Sequence, residues 1–321
     1  MRIVLSLLAG ALLLPGATPS VSAQGYPSSA ITLVIPLAPG DGTDVAGRAM
    51  ADELAKLLKV PIVPVNRPGA GMAIGTDSVV KAKKDGYTIL ITPNAALVSG
   101  RIMNPETVSY DPVKDLTPLG GTTRTPVILV VRGDAPYKTL QEMVEFAKKN
   151  PGKVRAATVG PGSIGHFSVE MLNALTGAGL PSVPFKGGAP AITAVLGGHV
   201  EVGALSVGAT SGHLKSGAMR GLVVSSKSPA FPEIPTLTEL GYRQNLPGIW
   251  FAFYAPAGVP AEVMRVLVPA IEKVVKDPAV GARLAPFGMV QDYVPPEKIV
   301  AEIREEHRTL EEVAKKAGLV K

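Results

Sequence analysis

The chain has 321 residues and a formal net charge of +6, and aromatic residues make up only 5% of it. Its Lys and Arg residues are scattered and form no stripe with stacking aromatics, which argues against a nucleic-acid interface. The absence of cysteine excludes disulfides and an anchor attached through an acylated cysteine.

The N-terminus has the pattern of a secretory signal peptide. Arg2 precedes the apolar run Ile3–Leu14, and a small-x-small motif ends at Ala23. The apolar run has about 12 residues, whereas a membrane span needs about 20. We therefore expect residues 1–23 to be removed, Gln24 to begin the mature chain, and the protein to be exported to the periplasm. The remaining length predicts two domains.

Strand-like apolar runs alternate with helix-like segments in the first part of the mature chain. Apolar residues recur at helical spacing between Thr43 and Leu58, and Asp85 with Gly86 ends a second helix. This alternation predicts a mostly parallel sheet with helices on both faces. The predicted elements here are strands 31–36, 62–65 and 88–92 and helices 43–58 and 74–83.

The same alternation continues through the middle of the chain and ends in two helical regions. The predicted elements are strands 125–131, 154–159 and 221–225, helices 140–149 and 164–175, a helix ending at 196, and helical regions 260–285 and 295–317.

Strands 127–131 and 222–225 are predicted to cross between two lobes. Lobe 1 then comprises residues 24–124 and 228–321, and lobe 2 comprises residues 125–227. Because two crossings connect the lobes, we expect their relative motion to be a hinge bend.

Two glycine-rich turns, residues 38–44 and 159–166, each join a strand-like run to a helix-like run. A turn of this kind directs backbone N–H groups and the positive end of a helix at an approaching ligand. Thr43 and Ser163 are the predicted caps of these two helices. Each turn alone is compatible with an ordinary tight turn. Two of them, one per lobe at the carboxyl end of a strand, predict a cleft that closes on an anion.

Signatures of catalysis and of metal or nucleotide binding are weak. The sequence has no cysteine and no G-x-S-x-G motif, and its four histidines lack the spacing of metal ligands. Residues 160–165 fit G-x-G-x-x-G, but no acidic residue occurs in 180–186, where a dinucleotide site requires one. We therefore expect no enzymatic activity, no metal and no cofactor.

Several longer motifs occur together. Residues 36–44 read P-L-A-P-G-D-G-T-D, residues 66–75 read N-R-P-G-A-G-M-A-I-G, and residues 85–90 read D-G-Y-T-I-L. The remaining motifs are Y-D-P-V-K-D-L at 110–116, G-P-G-S-I-G-H at 160–166, F-K-G-G-A-P at 185–190 and L-G-G at 196–198. Together they resemble the solute-binding proteins of tripartite tricarboxylate transporters, the Bug family, along nearly the whole mature chain.

This resemblance implies a two-lobed α/β fold similar to type II periplasmic binding proteins, a Venus flytrap with two strand crossovers. It implies a receptor without enzymatic activity, whose ligand is a carboxylated small molecule held by main-chain amides of both glycine loops, partly through water. The expected partners are this organic acid and integral membrane transporter subunits, and we expect a monomer. Presentation of the ligand to a membrane histidine kinase is an alternative role. The expected substrate-binding residues are Leu37, Pro39, Gly40, Asp41, Gly42, Thr43, Asp44, Thr92, Asn94, Gly160, Gly162, Ser163, Ile164, Gly165, His166 and Ser206.

The chain departs from the family pattern at two places. Asp41 stands where the motif has glycine, which brings a negative charge close to the expected carboxylate. Either this side chain turns outward, or the ligand also carries a cationic or hydroxyl donor. An aspartate that is common beyond the equivalent of Glu201 is absent from Gly203–Ser206, which predicts a less polar far end of the pocket. Both departures make the usual dicarboxylate an uncertain ligand.

Overall fold

The structure, a computed structural model, describes residues 25–320. The predicted signal peptide, residues 1–23, lies outside the described residues. No helix between residues 25 and 320 combines the length and the apolar composition that crossing a bilayer requires.

Eleven strands and eleven α-helices are found in the described part of the chain. The strands are β1 Ile31–Ile35, β2 Ile62–Asn66, β3 Thr88–Pro93, β4 Leu116–Thr125, β5 Val127–Arg132, β6 Ala156–Thr158, β7 Ser182–Pro184, β8 Val202–Ser206, β9 Met219–Val224, β10 Ile249–Pro256 and β11 Val290–Val294. The helices are α1 Gly42–Leu58, α2 Ala73–Val80, α3 Asn94–Leu97, α4 Ser99–Met103, α5 Leu140–Lys149, α6 Ile164–Thr176, α7 Gly188–Leu196, α8 Val207–Lys215, α9 Ala261–Val275, α10 Pro278–Leu284 and α11 Pro296–Lys316. Two 3₁₀ turns, Ala70–Met72 and Ala285–Phe287, complete the set.

The strands form two sheets, and each sheet is the centre of one lobe. The first lobe has six strands in the order β11-β4-β10-β3-β1-β2, and the second has five in the order β7-β6-β8-β5-β9. The predicted two-lobed α/β fold is therefore confirmed.

Both sheets are mixed, where the sequence predicts mostly parallel ones. β1 lies parallel to β2 and β3, but β10 runs antiparallel to β3 and β4. In the second sheet β6 lies parallel to β7 and β8, while β5 runs antiparallel to β8 and β9. β5 and β10 are the first strands after the two crossings. They run against their neighbours because they enter a lobe and do not close a β–α–β unit within it. β11 also runs antiparallel to its neighbour β4.

The chain passes between the lobes twice, from β4 to β5 and from β9 to β10. Ser225 ties the two connections together: its N–H donates to Val127 O at 2.8 Å, and Val127 N–H donates to Ser225 Oγ at 3.0 Å. We expected lobe 1 to resume at residue 228. Phe231 and Leu237, however, pack in the hydrophobic clusters of the second sheet. We therefore propose that the return to the first lobe lies near Gly248, at the start of β10.

Helices cover both faces of each sheet with apolar side chains. Met50 of α1 and Ile271 of α9 pack on one face of the first sheet, and Ile303 of α11 packs on the other. Phe167 and Met171 of α6 join this second cluster, so α6 of lobe 2 contacts α11 of lobe 1. This apolar contact lies beside the crossings, since Val127 and Trp250 belong to the same cluster.

Candidate functional site

A cavity of about 690 Å³ lies between the lobes. Its walls come from the loops at the carboxyl ends of the parallel strands in both sheets, where open α/β sheets bind ligands. In the first lobe these are the loops after β1, β2 and β3, and in the second lobe they are those after β6, β7 and β8. The volume is in the range of small-molecule sites.

Asp41, not Thr43, caps helix α1. Asp41 Oδ1 accepts a hydrogen bond of 3.0 Å from Thr43 N–H, and its backbone carbonyl accepts one from Val45 N–H at 2.9 Å. Both residues line the cavity, but Asp41 is exposed whereas Thr43 is buried. The prediction that Thr43 is the cap was wrong, because the helix already begins at Gly42 and the side chain of Asp41, two residues before Thr43, accepts an N–H of its first turn.

Asp44 holds the first glycine loop in shape from within. Its carboxylate accepts hydrogen bonds of 2.9 Å from Gly40 N–H, Arg48 Nε and Asn66 Nδ2. Asn66 Nδ2 also donates to Leu37 O at 2.9 Å. Burial alone would raise the pKa of Asp44, but these bonds hold it below its usual value. Asp44 is therefore a buried anion that fixes the loop and does not line the cavity.

His166 holds the second glycine loop in shape from within, as Asp44 does for the first. Its Nδ1 accepts a hydrogen bond of 3.1 Å from Gly162 N–H, so the neutral ring carries its proton on Nε2. Burial lowers the pKa of His166, and Glu170, whose Oε1 lies 3.8 Å from Nε2, opposes this only in part. Ser163 caps helix α6 as predicted: its Oγ accepts from His166 N–H at 3.1 Å and donates to Gly160 O at 2.8 Å.

Three helices of the second lobe begin at the cavity wall. Helix α6 starts behind Ser163, α7 behind Gly187 and α8 behind Ser206, and residues at each of these starts line the cavity. Their caps are uncharged, so the partial positive charge at each helix start is not cancelled by a side chain. The first N–H groups of a helix lack partners within the helix, which makes these three starts suited to an anion.

The structure brings nine of the sixteen predicted binding residues to the cavity wall. These nine are Leu37, Asp41, Gly42, Thr43, Gly162, Ser163, Ile164, Gly165 and Ser206. The other seven, Pro39, Gly40, Asp44, Thr92, Asn94, Gly160 and His166, do not line it. Ligand contact by any of the sixteen stays a prediction.

Asn94 lies in a different network, next to the crossing from β9 to β10. Its Nδ2 donates to Gly248 O at 3.0 Å and to Glu306 Oε1 at 2.6 Å, and Trp250 Nε1 donates to Glu306 Oε2 at 2.6 Å. Burial raises the pKa of Glu306 to about 7, although both hydrogen bonds act in the opposite direction. These contacts join α3, β10 and α11 beside the crossing, so Asn94 fixes the structure next to the crossing and does not face the cavity.

Other cavity residues were not predicted from the sequence. The loops Ala70–Met72 and Gly187–Gly188 belong to glycine turns that follow strands, and this position could have identified them. Phe287 and Met289 follow helix α10 and reach the cavity only through the packing of the C-terminal segment on the first sheet. No local pattern in the sequence marks them.

The lobes touch across the cavity through glycines. A Cβ added to Gly208 of α8 would overlap the carbonyl oxygen of Phe287, and one added to Gly288 would lie 2.5 Å from Gly208 Cα. A Cβ added to Gly162 would lie 3.1 Å from Cγ of Met103. Backbone segments of the two lobes thus approach each other more closely than side chains would allow.

Comparisons with known proteins agree with this architecture. Residues 46–319 match the model of the tripartite tricarboxylate transporter family receptor. The chain is 32% identical over 305 residues to Protein BugT of Bordetella pertussis, covering 94% of each chain. An R. palustris protein solved with adipate superposes with a TM-score of 0.79 at 28% identity, over 91% of this chain and 98% of that one. MatC from Rhodopseudomonas palustris, solved with bound malate, gives a TM-score of 0.74 at 28% identity, over 90% and 99%.

The family match spans most of the chain, and the curated relative is similar over nearly its full length. The two-lobed fold with glycine loops at an interlobe cavity is consistent with both. The chain belongs to the tripartite tricarboxylate transporter receptor family, the solute-binding proteins of the Bug type.

Proposed function

We propose that the protein is a periplasmic receptor that captures a small organic acid in the interlobe cavity and delivers it to membrane transporter subunits. The observation that carries this proposal is the cluster of three uncharged helix starts, those of α6, α7 and α8, at one cavity wall. Preformed N–H groups stabilise an anion without a formal counter-charge. No catalytic step and no cofactor is part of the proposal.

The bound acids of the two structural neighbours support the same ligand class. One neighbour was solved with adipate and the other with malate, both of them carboxylates. Micromolar affinity corresponds to about −8 kcal/mol. A few hydrogen bonds to a charged group, at about 1.5–3 kcal/mol each, supply this binding free energy after the entropy lost by ordering the ligand and the loops is subtracted.

Capture occurs by hinge closure in this proposal. The two chain connections between the lobes are hydrogen-bonded to each other at Ser225 and Val127 and allow a bend. The close contact between Gly208 and Gly288 lets the lobes meet across the cavity. The closed monomer then presents one surface to the transporter.

A charge placed at a helix cap tests the carboxylate site. Ser206→Asp keeps a good cap on α8 but adds a negative charge at the cavity, and it should weaken carboxylate binding roughly tenfold or more. Thr139→Asp is the matched control, because Thr139 caps helix α5 through Glu142 N–H and does not line the cavity. Calorimetry with a panel of carboxylic acids measures both variants. Equal affinities in Ser206→Asp and Thr139→Asp would contradict the proposed site.

A further inference from the structure

The two lobes present opposite charge to the cavity. Helix α1 of the first lobe begins with Asp41, whose Oδ1 accepts the Thr43 N–H. A helix start carries about half a positive elementary charge, so one carboxylate there leaves a net negative wall. The second lobe presents α6, α7 and α8 behind uncharged caps, which leaves a positive wall.

Asp41 is the only residue with an ionisable side chain among the described residues that line the cavity. Its Oδ1 is used by Thr43 N–H, and Oδ2 accepts no hydrogen bond from any residue in 25–320. This oxygen is therefore an acceptor available to a ligand. No Lys, Arg or His from the described chain lines the cavity to balance a second anionic group.

Much of the remaining wall is apolar. Val127, Val159, Ile249, Phe251 and Phe287 all line the cavity. These side chains favour hydrocarbon and give no hydrogen bond to a polar substituent. A ligand that matches all three surfaces has one carboxylate, an apolar body and a hydrogen-bond donor.

We propose that this receptor selects monocarboxylates that carry a hydroxyl or ammonium donor directed at Asp41, and that it discriminates against dicarboxylates. The carboxylate lies at the helix starts of the second lobe, and Asp41 repels a second carboxylate while accepting a hydrogen bond from a donor. Like charges placed together at a binding site are costly, and this selects against the wrong ligand. The inference rests on the proposed function, since both place the ligand carboxylate in this cavity.

Matched probe series of equal length separate the terminal groups. The six-carbon series is hexanoate, 6-hydroxyhexanoate, 6-aminohexanoate and adipate, and the four-carbon series is butanoate, 4-hydroxybutanoate, 4-aminobutanoate and succinate. Within the series that fits, titration calorimetry of the wild-type protein should rank the hydroxy and amino acids above the plain acid. The dicarboxylate should bind last, roughly tenfold or more below the best probe.

Asp41→Asn removes the charge and keeps a helix cap of similar quality. In this variant the dicarboxylate should gain affinity by roughly tenfold, and the ammonium probe should lose a similar factor. Asp277→Asn is the matched control: Asp277 caps α10 by accepting from Ala279 N–H at 2.8 Å, and it does not line the cavity. The Asp277→Asn variant should bind the probes in the same order of affinity as the wild type.

The outcomes distinguish this inference from the proposed function. Binding of adipate or succinate as tight as that of the donor probes, unchanged in Asp41→Asn, would overturn the inference and leave the carboxylate site intact. Absence of binding for every probe in both series, in the wild type and in Asp41→Asn, would count against the proposed function and the inference together. The ranking given above, with its reversal in Asp41→Asn alone, supports both.

Discussion

Replacing Gly208 by alanine should weaken ligand binding and leave the ligand-free protein stable. The added Cβ would overlap the Phe287 carbonyl oxygen and lie 2.6 Å from the Phe287 carbonyl carbon. Both of these atoms are backbone, so no rotamer change relieves the overlap. Ordinary contact begins at 3.4 Å, so relieving the carbon contact alone requires a separation of about 0.8 Å, and the closer oxygen requires more. In the proposed hinge closure, this separation acts on the closed form and not on an open one.

The magnitude follows from the cost of overpacking. Forcing an extra carbon into a packed contact costs about 1–3 kcal/mol, and this cost applies to the closed form alone. It corresponds to a loss of affinity of roughly 5- to 150-fold. Titration calorimetry with the tightest-binding acid of the probe panel measures the affinity. Small-angle scattering with and without that acid measures the compaction on closure.

Gly212→Ala is the control for this experiment. Gly212 lies one turn further along α8, and a Cβ added there meets no atom within 4 Å. The Gly212→Ala variant should bind ligand like the wild type. At saturating ligand, Gly208→Ala should stay more extended than the wild type at saturating ligand. If Gly208→Ala binds and compacts like the control, the lobes do not close on this contact. A large loss of melting temperature without ligand would also refute the reasoning.

Three further predictions concern pH and the loop network. Burial lowers the pKa of His166 below its usual 6.5, so the stability that neutral His166 contributes is present above pH 6.5 and is lost as the pH falls through the folded-state pKa. Ligand affinity, measured by calorimetry, should fall over the same pH range. His166→Gln should remove this pH dependence of affinity. The pH dependence of stability due to Glu306 has the opposite sign. Its pKa is about 7 in the folded protein against the usual 4.5, so the folded state binds the proton more tightly than the unfolded state. About 3 kcal/mol of stability should therefore be lost as the pH rises from 4.5 to 8. Denaturant titrations across this range should show that slope in the wild type and not in Glu306→Gln. Asn66→Ala removes the bonds to Asp44 and Leu37, so it should lower the free energy of unfolding by about 1–3 kcal/mol and weaken binding, and unchanged values of both would contradict the loop network.

Local patterns identified the elements that are built from neighbouring residues. The helical spacing in α1 and the strand-like runs at β1 and β3 predicted their bounds to within one or two residues. Ser163 was identified as a cap because a cap depends on atoms three residues apart. The glycine turns were found for the same reason.

Strand order could not be predicted in this way. β4 and β10 are adjacent in the first sheet but separated in sequence by the whole second lobe. The apolar run predicts one strand over residues 125–131, although β4 ends at Thr125 and β5 begins at Val127 in the other sheet. Whether such a run stays in one sheet or crosses to another depends on contacts with distant residues.

The local chemistry of this protein can be read from its sequence alone: two glycine turns at strand ends, an acid in one of them, and motifs that mark its family. The hydrogen bonds that occupy the N–H groups of Gly40, Gly162 and Thr43 are also local, because their partners Asp44, His166 and Asp41 lie within four residues. The convergence of the starts of α6, α7 and α8 on one cavity wall is not local. The direction in which these helices point depends on packing between residues that are far apart in the sequence.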